Sequence, residues 1–250
     1  PAPCRSIFPN NRADFLRRFQ FQTPPQVTFL WSGNWRDTEA SIIKGHVCSG
    51  PFTVDGVPMK ALDADAQLTG HLLSVTNLVL TREEGDVKGN LAYDGQAQQM
   101  QGAIVSTANP YELAKALGTN AVAAIAPYQF IQPPKLILSG ILHFRDDSKT
   151  RVFGRIEGSH LYYWRMHADS VSTDIAIRQG YVGLTNFVAR IYAGELSGTG
   201  EFFVNSEGTH YNVNGRIEKA DLQLFTESIT RTKPKSRGLA SGWANLNGVA

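Results

Sequence analysis

The sequence predicts a mainly β protein made of tandem, curled antiparallel β-meander sheets, with one short helix in each repeat. Three observations predict this class. The chain repeats itself at a spacing of 109 positions. Apolar and polar residues alternate with period two, as in strands with one buried face. Turn residues divide the strands at spacings too short for crossover helices, which favours antiparallel neighbours.

The internal repeat is the strongest of these signals. Residues 19–93 align with residues 128–202 without a gap. The best matches fall where backbone geometry is most restrictive: Gly45 with Gly154, Asp65 with Asp174, Thr76-Asn77 with Thr185-Asn186, Gly85 with Gly194, and Gly89 with Gly198. A repeat of this length indicates one supersecondary unit stacked along an axis.

The repeat also sets the expected boundaries. Residues 1–18 are predicted to be the tail of a preceding unit, 19–127 the first unit and 128–230 the second. Residues 231–250 are predicted to hold a linker and the first strand of a further unit. Since the chain begins at Pro1 without a basic and apolar leader, we expect it to be an excerpt of a longer protein.

The two faces of the predicted strands can be assigned in both units. Leu62, Ala64, Ala66 and Leu68 share one face of a predicted strand, and Val171, Ile175 and Ile177 share the corresponding face of its counterpart. Because a slip of one residue would exchange the faces, this agreement predicts a fixed register. About seven strands are expected per unit; in the second unit they are 135–144, 149–157, 160–169, 171–179, 181–192, 195–205 and 209–217.

One helix is expected to close each unit. In the first unit, Asn109 is a suitable N-cap, Pro110 fits the first helical position, and Gly118 fits just beyond the end. In the second unit, Asp221 is the expected cap.

A single helix cannot cover the apolar side of such a sheet. Seven strands span about 34 Å at about 4.8 Å per strand, whereas a ten-residue helix is about 15 Å long and about 10 Å wide. The sheet must therefore curl onto itself as a closed sandwich or roll, or a ligand must cover the exposed side. Stacked curled sheets would join their apolar faces into an elongated, β-taco-like groove.

Composition narrows the function classes. The net charge of +2, with scattered Lys and Arg, gives no basis for nucleic-acid binding. The two cysteines, Cys4 and Cys48, fit no metal motif, and a disulfide between them stays open. The longest apolar run, residues 121–126, is too short to cross a bilayer, so any membrane anchor is expected outside these residues.

Several stretches resemble the AsmA-like family of bacterial envelope proteins, which includes the TamB group. The residues that carry the resemblance are Gly180–Gly198, Val75–Leu78, Gly85–Gly89 and Ser241–Gly248. That family typically shows a strand that ends in an aromatic residue, then a small residue and glycine, then a strand with another glycine. Gly180–Gly198 carries this pattern, and the other stretches echo it. In the first unit Arg82-Glu83-Glu84 departs from this pattern. The resemblance implies a long β-sheet groove, an inner-membrane anchor elsewhere in the parent protein, and phospholipid movement across the periplasm.

The resemblance implies that the apolar phase of each strand lines the groove and contacts phospholipid acyl chains. The candidates are Val57, Met59, Leu62, Ala66, Leu68 and Val87 in the first unit, and Tyr162, Trp164, Met166, Val171, Ile175, Ile177 and Leu196 in the second. Each could instead be an ordinary core residue. Trp164 and Met166 are the bulky, adaptable side chains that suit a variable ligand.

No catalytic or metal site and no cofactor is expected. No histidine pair has the spacing of a zinc helix or finger, and His160 and His167, an odd number of residues apart, would point to opposite faces of one straight strand. Asp146-Asp147 reads as a turn and Asp63/Asp65 as a solvated strand face. Asn77 and Asn186, at matched positions, are better explained by a repeated bulge or backbone cap than by chemistry.

Three hypotheses about function follow. The first is a non-enzymatic groove that conducts or holds phospholipid between the inner and outer membranes, alongside neighbouring repeats of the same chain. The second is a structural stalk or spacer with a self-closed core. The third, which the sequence supports least, is a carbohydrate-binding β module that uses aromatic side chains for stacking against sugars.

Overall fold

A computed structural model gives the fold for residues 17–34, 37–117, 122, 125–163, 166–205, 208–230 and 237–249. Thirteen strands form one continuous antiparallel sheet, in which each strand pairs with the next one along the path. In sheet order they are β2 (Gln26–Asn34), β3 (Asp37–Ser49), β6 (Ala61–Thr69), β7 (Leu72–Thr81), β8 (Asp86–Asp94), β9 (Gln99–Ser106), β11 (Lys135–His143), β12 (Arg151–Tyr163), β13 (Met166–Arg178), β14 (Tyr181–Ile191), β15 (Gly194–Asn205), β16 (Gly208–Asp221) and β17 (Leu239–Val249). The predicted mainly β class and antiparallel meander are confirmed.

Four short strands complete the architecture. β1 (Phe19–Phe21), β4 (Phe52–Val54) and β5 (Val57–Met59) form a separate three-stranded sheet, and β10 (Tyr128–Phe130) pairs with the end of β12. The large sheet is open, with β2 at one edge and β17 at the other. The strand expected beyond the linker is present as β17, paired with β16.

Both expected helix caps are confirmed. Helix α1 is Pro110–Leu117, and the Asn109 side chain accepts a hydrogen bond from the Tyr111 amide at 2.9 Å. Helix α2 is Leu222–Thr230, and Asp221 accepts from the amides of Gln223 and Leu224. These bonds satisfy amides that the first helical turn leaves without partners. The expected C-terminal Gly118 lies outside the described residues, as do residues 1–16 of the predicted tail and 231–236 of the predicted linker.

The strand prediction between residues 149 and 179 is wrong in its divisions. Three strands were expected there, but the structure has two longer ones, β12 and β13. Ser159 pairs with Ser170 and Leu161 with Ala168, so the ladder continues across both expected breaks between strands. His160 adopts a positive φ of 50° inside the ladder without shifting its register.

Matching irregularities lie 109 residues apart. The register between β7 and β8 shifts between Val75 and Leu78, and the register between β14 and β15 shifts between Leu184 and Phe187. The extra residues are Asn77 and Asn186, with φ of 52° and 51°. Asparagine tolerates this left-handed conformation better than most residues, which explains its presence at both bulges. The expectation of a repeated bulge at these two asparagines is confirmed.

The fully buried core is small and lies near the strand ends from which the helices start. Only eleven hydrophobic residues of the described chain are buried, and six of them are alanines. One cluster contains Phe52, Val57 and Met59, with Ala116 of α1 packed against it. The other contains Ala189, Ile191, Tyr192 and Ala220 with Ala168, and Phe225 of α2 meets Tyr192 edge-on at 5.4 Å. Most apolar side chains of the sheet therefore lie outside either cluster.

Candidate functional site

One face of the sheet carries an apolar ladder across all thirteen strands. Each member pairs directly with the next, and all are apolar, aromatic or glycine. The members of this first ladder are Phe29, Gly45, Ala66, Val75, Leu91, Gly102, Gly140, Val152, Ile177, Val182, Phe202, Tyr211 and Gly248. At about 4.8 Å per strand, the ladder runs for about 58 Å.

A second ladder runs beside the first on the same face. Its members are Leu78, Gly89, Ile104, Leu138, Gly154, Ile175, Leu184, Gly200, Val213 and Leu246. It crosses ten strands and again contains no polar side chain. Together, the two ladders define the apolar face.

The apolar face is incompletely covered. Every side chain in the two ladders keeps part of its surface in solvent, and Phe29 and Leu246 at the sheet edges are 68% and 57% exposed. Helix α1 packs on β5 and helix α2 on β16. A continuous apolar surface of this length is unusual for a protein that binds nothing there.

Neighbouring backbones crowd the apolar face at a row of glycines. A Cβ at Gly89, Gly102, Gly140, Gly154 or Gly198 would lie 2.1–2.3 Å from a carbonyl oxygen of the adjacent strand. All five glycines belong to this face. Gly242, also on this face but in edge strand β17, has nothing within 4 Å of such a Cβ. Gly215, in the interior strand β16, has only a Leu196 side-chain atom at 3.8 Å. The close approach is therefore specific to the five glycines, where a side chain would force the strands apart.

The opposite face, called the polar face here, combines polar side chains with exposed apolar ones such as Leu30, Ile137 and Phe153. It carries a pair of matched hydrogen-bonded groups. Asn77 donates to Asp65 at 2.8 Å, and Asp65 also contacts His46 at 3.0 Å. These two bonds hold the pKa of Asp65 below its ordinary value, the Asn77 bond contributing most.

The same arrangement recurs 109 residues later. Asn186 donates to Asp174 at 2.7 Å, and Arg155 donates to the same carboxylate at 3.0 Å. The pKa of Asp174 is lowered by the hydrogen bond from Asn186 and, next, by Arg155. Positions 46, 65 and 77 correspond to positions 155, 174 and 186 at the spacing of 109.

Eight of the thirteen predicted groove residues lie on the apolar face. Ala66, Ile175 and Ile177 belong to the ladders, and Leu68 pairs with Leu73 beside them. The others are Leu62, Val87, Val171 and Leu196, placed toward the strand ends near the helices. Leu62, Val171 and Leu196 also pack against the two buried clusters.

The remaining five predicted residues are placed differently. Val57 and Met59 are each only 4% exposed and belong to a buried cluster. The chain folds them under α1 in a separate small sheet, away from the two ladders. The Tyr162 ring lies against the His167 ring at 4.6 Å. Met166, at the start of β13, is 38% exposed, and Trp164 lies outside the described residues.

The structure brings together a group that the sequence argument separated. His160 and His167 were expected on one strand with opposite directions, but they lie on the neighbouring strands β12 and β13. Their rings are 5.7 Å apart and almost parallel, at 14°. His167 Nδ1 lies 3.5 Å from Asp169 Oδ1. Odd spacing does not separate the two rings, because the single strand expected over 160–169 is divided between β12 and β13.

A buried arginine also went unpredicted. Arg82, whose side chain is 5% exposed, donates to the Pro58 carbonyl oxygen at 2.6 Å and pairs with Glu84 at 2.6 Å. The residue 109 positions later, Ile191, is also buried. The departure of Arg82-Glu83-Glu84 from the family pattern was the available signal. The arginine ties the end of β7 to the small sheet, a structural role rather than a chemical one.

Comparison of the chain with protein-family models, with curated proteins and with solved structures finds no match. Within the described part of the chain, no helix has the length and apolar character needed to cross a membrane. Cys48 is a free thiol, and Cys4 lies outside the described residues.

Proposed function

We propose that the apolar face binds phospholipid acyl chains, and that this chain is a segment of an AsmA-like envelope protein that conducts or holds lipid between the inner and outer membranes. The first ladder carries the proposal, since it is an apolar path across thirteen strands with its side chains partly in solvent. Each methylene buried there would contribute about 0.8 kcal/mol, so ten methylenes would contribute about 8 kcal/mol before ordering costs.

The glycine row supports a concave shape for that face. Glycine kinks are a device that bends a sheet, and the close approach of adjacent backbones at these positions fits a bend toward the missing side chains. The five crowded glycines lie on the apolar face, so we infer that the sheet curves around it. A curved sheet encloses an acyl chain on three sides, whereas a flat sheet would contact one side only.

The matched bulges support a stack of repeated units. Bulges increase local twist and bend a strand, and their recurrence at Asn77 and Asn186 gives both halves of the sheet the same curvature. A uniform groove requires that regularity. In this proposal, further units continue the sheet beyond β2 and β17, an inner-membrane anchor lies outside these residues, and the segment lies in the periplasm.

A structural stalk is the first alternative, and it requires the apolar face to be filled by the protein itself. The buried side chains of the described residues lie mainly in two clusters near the strand ends, and the ladders between them stay partly exposed. This distribution favours a ligand-binding face over a closed core.

Carbohydrate binding is favoured by one observation. Trp243, on the polar face of the edge strand β17, is 82% exposed, and an exposed indole is a suitable platform for a sugar ring. Trp243→Ala should then abolish glycan binding in a calorimetric titration with oligosaccharides. Absence of glycan binding in the unsubstituted chain would remove this alternative.

Adjacent residues on opposite faces provide the test of lipid binding. Ile175 lies on the apolar face and Ala176, its neighbour in β13, on the polar face; both are half-buried. Native mass spectrometry should find phospholipid bound to the unsubstituted chain and to Ala176→Glu, and none bound to Ile175→Glu with unchanged circular dichroism. Equal lipid content in the two variants would contradict the proposal.

A further inference from the structure

A second surface of this protein has the composition of a metal site. Within the described residues, His160, His167 and Asp169 are the one group of three histidine, cysteine or carboxylate side chains with donor atoms close together. One donor atom from each residue lies within 4.8 Å of the other two. In a tetrahedral zinc site with bonds of about 2.1 Å, ligand atoms are about 3.4 Å apart. Because His160 and Asp169 are exposed, modest side-chain rotation closes the difference.

The backbone and the neighbouring rings hold this group in place. Tyr162 pairs with His167 across β12 and β13, and their rings lie 4.6 Å apart, which restrains the imidazole. The His160 carbonyl oxygen accepts a hydrogen bond from Ile131 at 3.2 Å, which fixes the strand where His160 adopts its positive φ. A histidine in the left-handed region costs free energy, and such residues concentrate at functional sites.

The first unit supplies an internal comparison. The positions equivalent to His160, His167 and Asp169 at the spacing of 109 are Pro51, Pro58 and Lys60. None of these residues coordinates a metal readily, and one carries the opposite charge to Asp169. The short strands β4 and β5 lie 109 positions before the end of β12 and the start of β13, and they form without any of the three ligands. The group is therefore not required by the architecture that the two halves share.

We propose that His160, His167 and Asp169 bind a divalent transition-metal ion of the zinc class. Imidazole nitrogens favour Zn²⁺, Cu²⁺ and Ni²⁺ over Mg²⁺ and Ca²⁺, which prefer oxygen-only sites. Three protein ligands leave at least one coordination position for water or an external ligand. The ion would join β12 to β13 beside the strand β10. This proposal does not depend on lipid binding.

The test is a titration of the tag-free, full chain with Zn²⁺ against a chromogenic chelator. The unsubstituted chain should bind one Zn²⁺. Loss of a ligand should weaken Zn²⁺ binding by at least about 10- to 100-fold, because that is the loss caused by changing outer-shell partners of a metal ligand. The variants are His167→Ala and His160→Asn, the latter because asparagine tolerates the left-handed backbone. His210→Ala, a histidine of β16 outside the group, should bind as the unsubstituted chain does.

A second measurement needs no substitution. Zn²⁺ should shift the imidazole proton resonances of two of the six histidines in the unsubstituted chain, and Mg²⁺ at the same concentration should shift none. Equal Zn²⁺ affinity in His167→Ala, His160→Asn and the unsubstituted chain would overturn the proposal. So would the absence of any histidine shift at millimolar Zn²⁺.

Discussion

Asn186 donates its side-chain amide to Asp174 at 2.7 Å, across the pair of strands that its own bulge bends. Asn77 makes the same bond to Asp65 at 2.8 Å, 109 residues earlier. The asparagine thus has two roles: its backbone adopts the left-handed conformation of the extra residue, and its side chain ties the bulge to the neighbouring strand. No other residue type combines both roles as well.

Substitution of Asn186 separates the two roles. Asn186→Gly should lose only the hydrogen bond, at a cost of about 1 kcal/mol. Asn186→Ala should lose the bond and also place a Cβ in the left-handed region, which adds about 1 kcal/mol or more. The free energy of unfolding from urea titration gives both values. Equal destabilisation by the two substitutions would mean that the positive φ does not contribute.

The same carboxylates predict a dependence of stability on pH. Hydrogen bonds from Asn186 and Arg155 lower the pKa of Asp174 below its ordinary value of 3.8, and Asn77 and His46 do the same for Asp65. Because the pKa is lower in the folded than in the unfolded chain, each group stabilises the fold above pH 3.8, and the contribution disappears as pH falls through the folded value.

Urea unfolding between pH 6 and pH 2.5 measures this effect. The double variant Asp65→Asn, Asp174→Asn should lose less stability on acidification than the unsubstituted chain does. Other carboxylates with a lowered pKa, such as Asp86, remain in the double variant, so part of the pH dependence of stability also remains. Parallel pH profiles for the two proteins would show that these aspartates carry no pH-dependent stability.

Much of the fold was predictable because it depends on local signals. Period-two alternation identified the strands and their faces, and the helix caps Asn109 and Asp221 follow from first-turn hydrogen bonding. The bulges at Asn77 and Asn186 were predictable because the sequence repeat has asparagine at this position in both copies. The division of β12 and β13 was not, since His160 takes a positive φ without ending the strand.

The candidate sites were predictable only in part. Ile175, Ile177 and Leu68 follow the period-two alternation of their strands, so the face on which they lie was predictable. Val57 and Met59 have the same alternation, but they belong to a small sheet packed under α1, a long-range contact that local pattern does not encode. The approach of His160 to His167 depends on which strands pair, and an error of a few residues in the strand ends was enough to hide it.

Crowding at the glycine row predicts intolerance of even one methyl group. A Cβ on Gly102 would lie 2.3 Å from the Asn90 carbonyl oxygen, so Gly102→Ala should cost about 1–3 kcal/mol of unfolding free energy. Gly242→Ala is the matched control, since nothing lies within 4 Å of its Cβ, and its effect should stay within about 0.5 kcal/mol. Urea unfolding of both variants measures the difference. A tolerated Gly102→Ala would argue against a sheet bent at this row.

The positions of two phenylalanines predict that the buried cluster contributes to folding stability and that the apolar face contributes little. Phe52 is 2% exposed in the cluster under α1, so Phe52→Ala should cost about 3–5 kcal/mol. Phe29 stands in the first ladder and is 68% exposed, so Phe29→Ala should cost within about 0.5 kcal/mol. Thermal and urea unfolding check both. A large loss of stability in Phe29→Ala would assign the ladder to the core.

Photo-crosslinking tests the lipid-binding face most directly. A benzophenone amino acid is placed at Leu91, Ile177 or Phe202 of the first ladder, or at their sequence neighbours Ala92, Ala176 and Glu201 on the polar face. Irradiation in the presence of phospholipid vesicles, followed by mass spectrometry, should give phospholipid adducts at the three ladder positions and none at the three neighbours. Adducts of equal yield on both faces, or on the polar face alone, would contradict the account.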